Sequence, residues 1–331
     1  MEQRHIRDYF RNKTVLVTGG TGSFGEHVVR TLITLPVSKI IIFSRDEWKQ
    51  HQLKQTLPRT NVHVSYIIGD VRDFRSLLIA SRGVDVIFHA AAMKHVPISE
   101  ENPMEAVYTN IYGAYNLREA AIANNIQTVV AISTDKAVRS INVMGMTKAI
   151  QERILTAQHS QTTKFICVRF GNVVGSRGSV VPIIKWAIDN DVPIPVTDPH
   201  MTRFLITLDS AMDLVFTATI VGKGREIFVK KMPACRIVDV VNVMVEHLSK
   251  EKKHQIDIVG MRQGEQMYET LISDEEIARA KEQGGYIVIY PYGTDITKKP
   301  GRTAKEYRTD TMMKMLTKEE IAKILKSAQW L

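Results

Sequence analysis

One stretch restricts this chain more than any other. Thr14-Val-Leu-Val17 reads as a short strand, Thr18-Gly-Gly-Thr-Gly-Ser-Phe-Gly25 follows, and a helical pattern then runs through Val28, Val29, Leu32 and Ile33. Gly19, Gly22 and Gly25 stand three residues apart. In a strand–turn–helix unit the first glycine allows the tight turn and the second lets the backbone approach a pyrophosphate. The third lets helix and strand pack closely. The helix N-terminus adds free N–H groups and a partial positive charge. Alone, a glycine triplet is weak evidence, and a merely structural glycine loop is the competing reading. In this setting it points to a bound dinucleotide held by Gly19, Thr21, Gly22, Ser23, Phe24 and Gly25.

Further strand-like runs occur at Lys39-Ile-Ile-Ile-Phe43, Val64 to Ile68, Val84-Asp-Val-Ile-Phe-His89, Thr128-Val-Val-Ala-Ile-Ser133 and Phe165-Ile-Cys-Val-Arg169. Helical stretches from Ala106 to Ala123 and from about Asn142 to Gln158 separate the later ones. Apolar runs that are continuous rather than alternating mean a parallel sheet covered on both faces. The expected fold is therefore α/β, a Rossmann-type doubly wound parallel sheet. After Gly171 turn-rich stretches alternate with shorter elements. Helices are expected at Val181–Asn190, Ser210–Ile220, Val238–Leu248 and Lys318–Leu325, and Tyr286 to Thr303 reads as irregular. The division is a dinucleotide domain over residues 1–171, with later sheet elements from about 205–235. A smaller, interleaved substrate lobe takes residues 172–331.

The 331 residues are 44% hydrophobic, enough for one large domain or a domain with a lobe. The formal charge of +9 is either a solvated basic surface or a field that attracts anionic substrates. No basic stripe is interleaved with aromatics, so no nucleic-acid partner is expected. Cys167 and Cys235 have no CxxC neighbour, and neither disulfide nor metal site is expected. The polar N-terminus and the lack of a long apolar run point to a cytoplasmic protein with no membrane partner.

The end of the second strand reports on the cofactor. Ser44-Arg45 offers a hydroxyl and a guanidinium suited to a 2′-phosphate, which favours NADP, while Asp46 keeps NAD open. Asp70 and Val71, after the third strand, are placed to cap an adenine. Ala90 and Ala91 end the fourth strand with side chains small enough for the cofactor to lie close.

The fifth strand runs into Ser133-Thr-Asp-Lys136, and Met144-Gly-Met-Thr-Lys148 follows on the next helix. With the glycine turn, this arrangement resembles the extended short-chain dehydrogenase/reductases. Met93-Lys-His-Val-Pro97, Ser133-Thr-Asp-Lys-Ala137, Gly171-Asn-Val-Val-Gly-Ser-Arg-Gly-Ser-Val-Val-Pro182, Met201-Thr-Arg-Phe204 and Arg262-Gln-Gly-Glu265 narrow it. They look like the inverting UDP-N-acetylglucosamine 4,6-dehydratases of pseudaminic acid and capsular sugar synthesis. The resemblance runs from about residue 10 to the C-terminus.

It implies a lyase that removes a hydride from sugar C4, a proton from C5 and the C6 hydroxyl as water, then returns the hydride to C6. Asp135 would be the acid for the C6 hydroxyl, Lys136 the base for the C5 proton, Thr134 their neighbour, and Lys148 the ribose-holding lysine. Neutral Lys136 with protonated Asp135 is a tautomer of the ion pair, so no external proton is needed. Burial, Lys148 and the cationic nicotinamide are expected to depress Lys136. Lys94, Asn172, Arg177, Val181, Thr197, Arg203, Arg262 and Glu265 would line the UDP-sugar site. A homo-oligomer, a hexamer by resemblance, is implied as well. Met201 and the Met312–Met313 pair read as packing residues.

Met144 departs from the superfamily, which usually carries tyrosine there as the base for the hydroxyl being oxidised. A thioether cannot take that proton, and losing a general base typically costs about 10²–10⁴-fold. Three repairs are open: Lys148 or Lys136 as base, a relay through Ser133 or Thr134, or a water. The product is open too, since a hydride returned to C4 gives a 5,6-ene. A UDP-sugar epimerase and a non-catalytic dinucleotide-binding protein are the competing functions.

Overall fold

The computed structural model describes residues 3–157, 162–249, 251, 253–312 and 314–331, so Gln158 and Met313 lie outside the described residues. Six parallel strands form the body of a ten-stranded sheet: β1 (Thr14–Thr18), β2 (Lys39–Ser44), β3 (His63–Ile68), β4 (Val86–His89), β5 (Thr128–Ile132) and β6 (Lys164–Arg169). Their order is β3-β2-β1-β4-β5-β6, the doubly wound arrangement. β1 pairs in parallel with β2 on one side and β4 on the other, so the strand order reverses beside it. Ligands of such sheets bind in the crevice outside the strand ends at that reversal. Val15 to Val17, Ile40 to Ile42, Val86 to Phe88 and Ile166 to Val168 are all buried, because helices cover both faces.

The sheet continues past β6 with Ile227–Lys230 in parallel, then antiparallel Tyr286–Ile289, Ala280–Gln283 and Arg302–Thr303. The expectation of an irregular segment from Tyr286 to Thr303 is corrected at both ends. Tyr286-Ile-Val-Ile289 is a β-branched run with its last three residues buried, which the Pro and Gly that follow obscured. Of the elements expected around 205–235, Ile227–Lys230 joins the main sheet. Thr202–Ile206 instead forms a separate small sheet with Asn172–Val173 and Ala234–Arg236. The lobe has its own core, where Val181, Ile184, Val240, Met244, Ile321 and Leu325 bring together the helices Val180–Asp189, Ile237–Leu248 and Lys318–Ser327.

The helical stretch expected from Ala106 begins as a π-helix, Val107–Tyr112, before the α-helix Gly113–Ala123. Single π-turns often occur at functional sites. Here the buried Asn110 exchanges hydrogen bonds with the Met93 backbone and donates to the Thr147 hydroxyl. It thereby ties the loop after β4 to the helix Val143–Thr156.

Arg169, at the end of β6, is 3% exposed and sits between two carboxylates. Its Nε and one terminal nitrogen donate to Glu152 at 2.7 and 2.6 Å, and both terminal nitrogens donate to Glu276 at 2.9 and 2.8 Å. Glu152 belongs to the helix Val143–Thr156, and Glu276 closes a capping box with Ser273. Breaking such a buried group on one side leaves uncompensated charges and costs about 3–5 kcal/mol. Arg169→Ala should therefore lower the urea midpoint by the equivalent of about 3–5 kcal/mol with an unchanged m-value. A loss under about 1 kcal/mol would contradict this reading of the cluster.

Candidate active site

Gly19 takes φ of +66° at the turn after β1, and a Cβ there would meet the backbone of Ala90 and Ala91. A Cβ on Gly25 would run into the Gly19 carbonyl oxygen. These collisions are what the glycine spacing avoids: the helix Ser23–Leu32 approaches β1 closely and leaves its first turn open. The cavity at this turn measures about 250 Å³ and takes in Gly19, Thr21, Gly22, Ser44, Arg45, Asp70, Val71, Ala90 and Ala91. Ser23 and Phe24 begin the helix, and the Phe24 ring packs 5.3 Å from Phe170. A dinucleotide fits this lining, with backbone at the phosphates and small side chains below.

The residues after β2 divide their tasks. Ser44 is buried, and its hydroxyl accepts from the Gln50 amide at 3.0 Å. Asp46 caps the helix Glu47–Thr56 by accepting from the Lys49 backbone, so its carboxylate is committed to the helix. Asp46 and Lys49 both line the cavity as an ion pair 3.0 Å apart, and Arg45 stands beside them 3.6 Å from Asp70.

Arg177, expected at the sugar-nucleotide site, lies on the glycine turn. Its backbone N–H donates to the Ser23 hydroxyl, and its guanidinium reaches the Thr21 carbonyl and Glu26. Lys94 donates to the Arg177 carbonyl at 2.7 Å, so the loops after β4 and after β6 close over the turn together. His95 packs beside Gly178, whose φ is +72°.

The reactive segment leaves β5 as a short 3₁₀ turn, Asp135–Ala137. Asp135 is 1% exposed; its Oδ1 accepts from the Thr134 hydroxyl at 2.9 Å and from Lys136 Nζ at 3.1 Å. Lys136 Nζ also lies 2.8 Å from Oε1 of Glu269 and 3.5 Å from Asn172 Oδ1. Glu269, 1% exposed, was not anticipated in the sequence. Nothing in its neighbourhood there distinguishes it from another loop acid. Its backbone is fixed by reciprocal hydrogen bonds with Thr309, and Arg203 Nε approaches it at 3.4 Å. Arg203 is thus buried behind the acid–base cluster. Asp135 Oδ2 and Glu269 Oε2 are buried with no partner among the described residues. Buried acceptors left open in this way need an explanation.

The expectation that Lys136 is depressed is corrected. Burial does pull it down, but the charges of Asp135 and Glu269 outweigh that and hold it above the ordinary lysine range. Asp135 contributes first and Glu269, whose contact is invisible in the sequence, adds to it. Burial in turn pushes Glu269 upward against the pull of Lys136.

Lys148 is the opposite case. Burial lowers it to about 8, with Cys167 and Glu152 acting only weakly the other way. Nζ donates to the Ile132 carbonyl at 2.6 Å and to the Gln151 side chain at 2.8 Å. Two acceptors match the two N–H bonds of a neutral amine and leave its lone pair free. Met144, one turn before, is 4% exposed in the helix that Asn142 caps through the Gly145 N–H. Ser133 donates to Glu152 at 2.6 Å, which commits that hydroxyl away from a relay.

Arg262 and Glu265 form an exposed to half-buried turn closed by the Arg262 N–H on the Glu265 carboxylate. The turn docks on the start of the Val143–Thr156 helix, where Asn142 donates to the Gly264 carbonyl. Val181 is buried in the lobe core, and Thr197 is half-buried after the strand Ile194–Val196. Asn172 therefore joins the acid–base cluster, whereas Val181 serves packing.

Comparison with known proteins adds to this geometry. Residues 15–291 match the family described as polysaccharide biosynthesis protein. A Methanocaldococcus jannaschii protein named uncharacterized membrane protein MJ1061 is 42% identical over 98% of this chain and 99% of its own length. In the present chain no helix among the described residues is long and apolar enough to cross a membrane. A protein of Rickettsia felis named UDP-glucose 4-epimerase is 43% identical, over 87% of this chain and 85% of its own. Among solved structures, Pen from Bacillus thuringiensis superposes with a TM-score of 0.91 at 36% identity, covering 98% of this chain and 99% of that one. The dTDP-glucose 4,6-dehydratase DesIV of Streptomyces venezuelae, solved with NAD and DAU bound, shares the fold. Its TM-score is 0.68 at 20% identity, covering 76% of this chain and 86% of that one. The match spans the glycine turn, the strand-end acid and lysine and most of the lobe, and by it the chain belongs to the polysaccharide biosynthesis protein family within the extended short-chain dehydrogenase/reductases.

Proposed function

We propose that this protein is an NADP-dependent dehydratase of UDP-N-acetylglucosamine that yields a UDP-4-keto-6-deoxy-hexosamine with inversion at C5. The observation that carries it is Lys136 held between Asp135 and Glu269 at the end of β5. An elimination across C5 and C6 needs one base and one acid side by side, whereas oxidation of C4 alone needs only a base for the hydroxyl proton. The 2′-phosphate preference rests on Arg45 and Lys49 at the cavity, with Asp46 spent on a helix cap. NADP⁺, when bound, supplies the acceptor for the C4 hydride and gives that hydride back to C6.

The protein's own groups then divide the proton work. Lys148, neutral above about pH 8, takes the proton of the C4 hydroxyl in place of the missing tyrosine. Moving one proton from Lys136 Nζ to Asp135 creates the amine and the carboxylic acid together, with no proton from outside. The amine removes the C5 proton and Asp135 protonates the C6 hydroxyl. The C5–H and C6–O bonds break, the C5–C6 double bond forms, and water leaves. Lys136 ends as the ammonium and Asp135 as the carboxylate from which they began. Return of hydride to C6 then leaves an enolate that takes a proton at C5 from solvent on the opposite face, and Lys148 gives its proton back to solvent. Glu269 stabilises that ammonium and fixes Nζ before and after the step. Arg262 and Glu265 are left for the nucleotide, suited to diphosphate and ribose hydroxyls.

Relatives named UDP-glucose 4-epimerase give the second reading, an epimerase that oxidises C4 and reduces it from the other face. A proton NMR time course with UDP-N-acetylglucosamine in D₂O separates them. A C6 methyl signal with a hydrated 4-keto carbon is expected. Vinyl signals mean the 5,6-ene, a new C4 configuration with C6 intact means the epimerase, and an unchanged spectrum with dinucleotide bound means a non-catalytic role.

Two variants test the assigned roles. Lys136→Ala should reduce C5 proton exchange by about 10²–10⁴-fold while dinucleotide binding persists; persistent exchange would remove Lys136 as the base. Because burial lowers Lys148, its basic form prevails above about pH 8. Single-turnover reduction of the cofactor should then fall roughly tenfold per pH unit below that value and vanish in Lys148→Met. A flat profile from pH 6 to 9, on the order of the range spanned by that lysine, would point to a bound water instead.

A further inference from the structure

A cavity of about 460 Å³ opens beside the helix Val143–Thr156, larger than the dinucleotide cavity and sharing none of its lining. Most of its acids are already engaged. Glu152 and Glu276 hold Arg169, and Asp274 holds Arg139 at 2.6 Å. Arg153 and Arg225 remain, together with Arg279, which lies 3.7 Å from the shared Glu276, and the exposed Glu275 is the other lining carboxylate. Arg225 commits its Nε to the Thr156 carbonyl. Arg279 donates one terminal nitrogen to the Tyr290 carbonyl, and its Nε is buried with no partner among the described residues. Tyr292 stands at the mouth, 64% exposed, with the Arg279 and Arg153 guanidinium carbons 4.4 and 5.6 Å from its ring. Hydrogen bonding from Arg153 and the Arg279 charge hold its phenol below the usual tyrosine range, as expected of a surplus of positive charge.

We propose that this cavity is a second anion site, separate from the one that holds the cofactor, and that it takes a phosphate-bearing metabolite of the diphosphate class. Guanidinium forks match phosphate oxygens in pairs, and three arginines around one cavity can surround a diphosphate from several sides. Occupancy reaches the reactive segment by a short route. Glu152 lines the cavity and accepts from Ser133, two residues before Asp135. Charge brought against Arg279 and Arg153 would therefore lie beside the Glu152–Arg169–Glu276 cluster on which Ser133 is held.

The proposal does not depend on the dehydratase reading, because its test is binding. Inorganic pyrophosphate and, separately, UDP are titrated calorimetrically into the full-length protein, with hydrogen exchange followed in peptides covering 149–156 and 286–292. Arg45→Gln serves as a control that weakens only the cofactor turn. The expected result is a saturable event, additional for UDP to the one at the Arg262–Glu265 turn, that survives Arg45→Gln, protects both peptides and weakens at least tenfold in Arg153→Gln/Arg225→Gln. Should the double variant not fold, Arg153→Gln alone, at an exposed residue, should still weaken it several-fold. Tighter binding of UDP than of pyrophosphate at this site identifies a nucleotide ligand stacked on Tyr292, and the reverse identifies the free anion. Binding unchanged in the variants, or no protection of these peptides with either probe, overturns the proposal.

Discussion

A guanidinium cut off from water must find its counter-charges inside the protein, and much of this molecule is arranged around one that does. Arg169 ends β6, and its two carboxylates come from the helix that carries Met144 and Lys148 and from a turn some hundred residues later in the chain. One side chain thus fixes the end of β6, the helix and the segment returning from the lobe in a single geometry. Buried ion clusters of this kind are weak sources of net stability, and what they enforce is the relative placement of their elements. Here the placement matters because Ser133 hangs on the same Glu152 and the reactive turn begins two residues later.

Two lysines within this framework show how partners decide what burial does. Lys148 is surrounded by a carbonyl and an amide oxygen, neutral acceptors that do not repay its desolvation, and it falls to about 8. Lys136 touches two carboxylates and rises. The first is adapted to give up its charge near neutrality, the second to keep it until a neighbour takes the proton. Met144, which lacks a basic atom, lies one helical turn from the lysine whose environment leaves it neutral above about pH 8.

The parallel sheet, the glycine turn and the strand-end Asp135–Lys136 pair were legible in the sequence because each is a local pattern: continuous apolar runs, three-residue glycine spacing, and polar residues at a strand end. Tyr286–Ile289 was obscured because Gly and Pro nearby outweighed a four-residue β-branched run. Glu269 was not legible for a different reason. Its significance lies in being 2.8 Å from a lysine 133 positions earlier, and nothing in Glu265-Gln-Met-Tyr-Glu269 signals that contact. Arg177 shows a different limit: its motif indicates a ligand-binding loop but not that the loop lies on the glycine turn. Loop position relative to the glycine turn is a tertiary fact, fixed by Lys94, Ser23 and Thr21.

The central claim is that oxidation at C4 and elimination across C5 and C6 are parts of one cycle, with one hydride moved from C4 to C6. UDP-N-acetylglucosamine deuterated at C4 tests it most directly, with the product read by mass spectrometry and deuterium NMR. The account predicts that the label leaves C4 and appears as a single deuterium in a new C6 methyl group. Deuterium retained at C4, with C6 either still a hydroxymethyl or become a vinyl carbon, would contradict it.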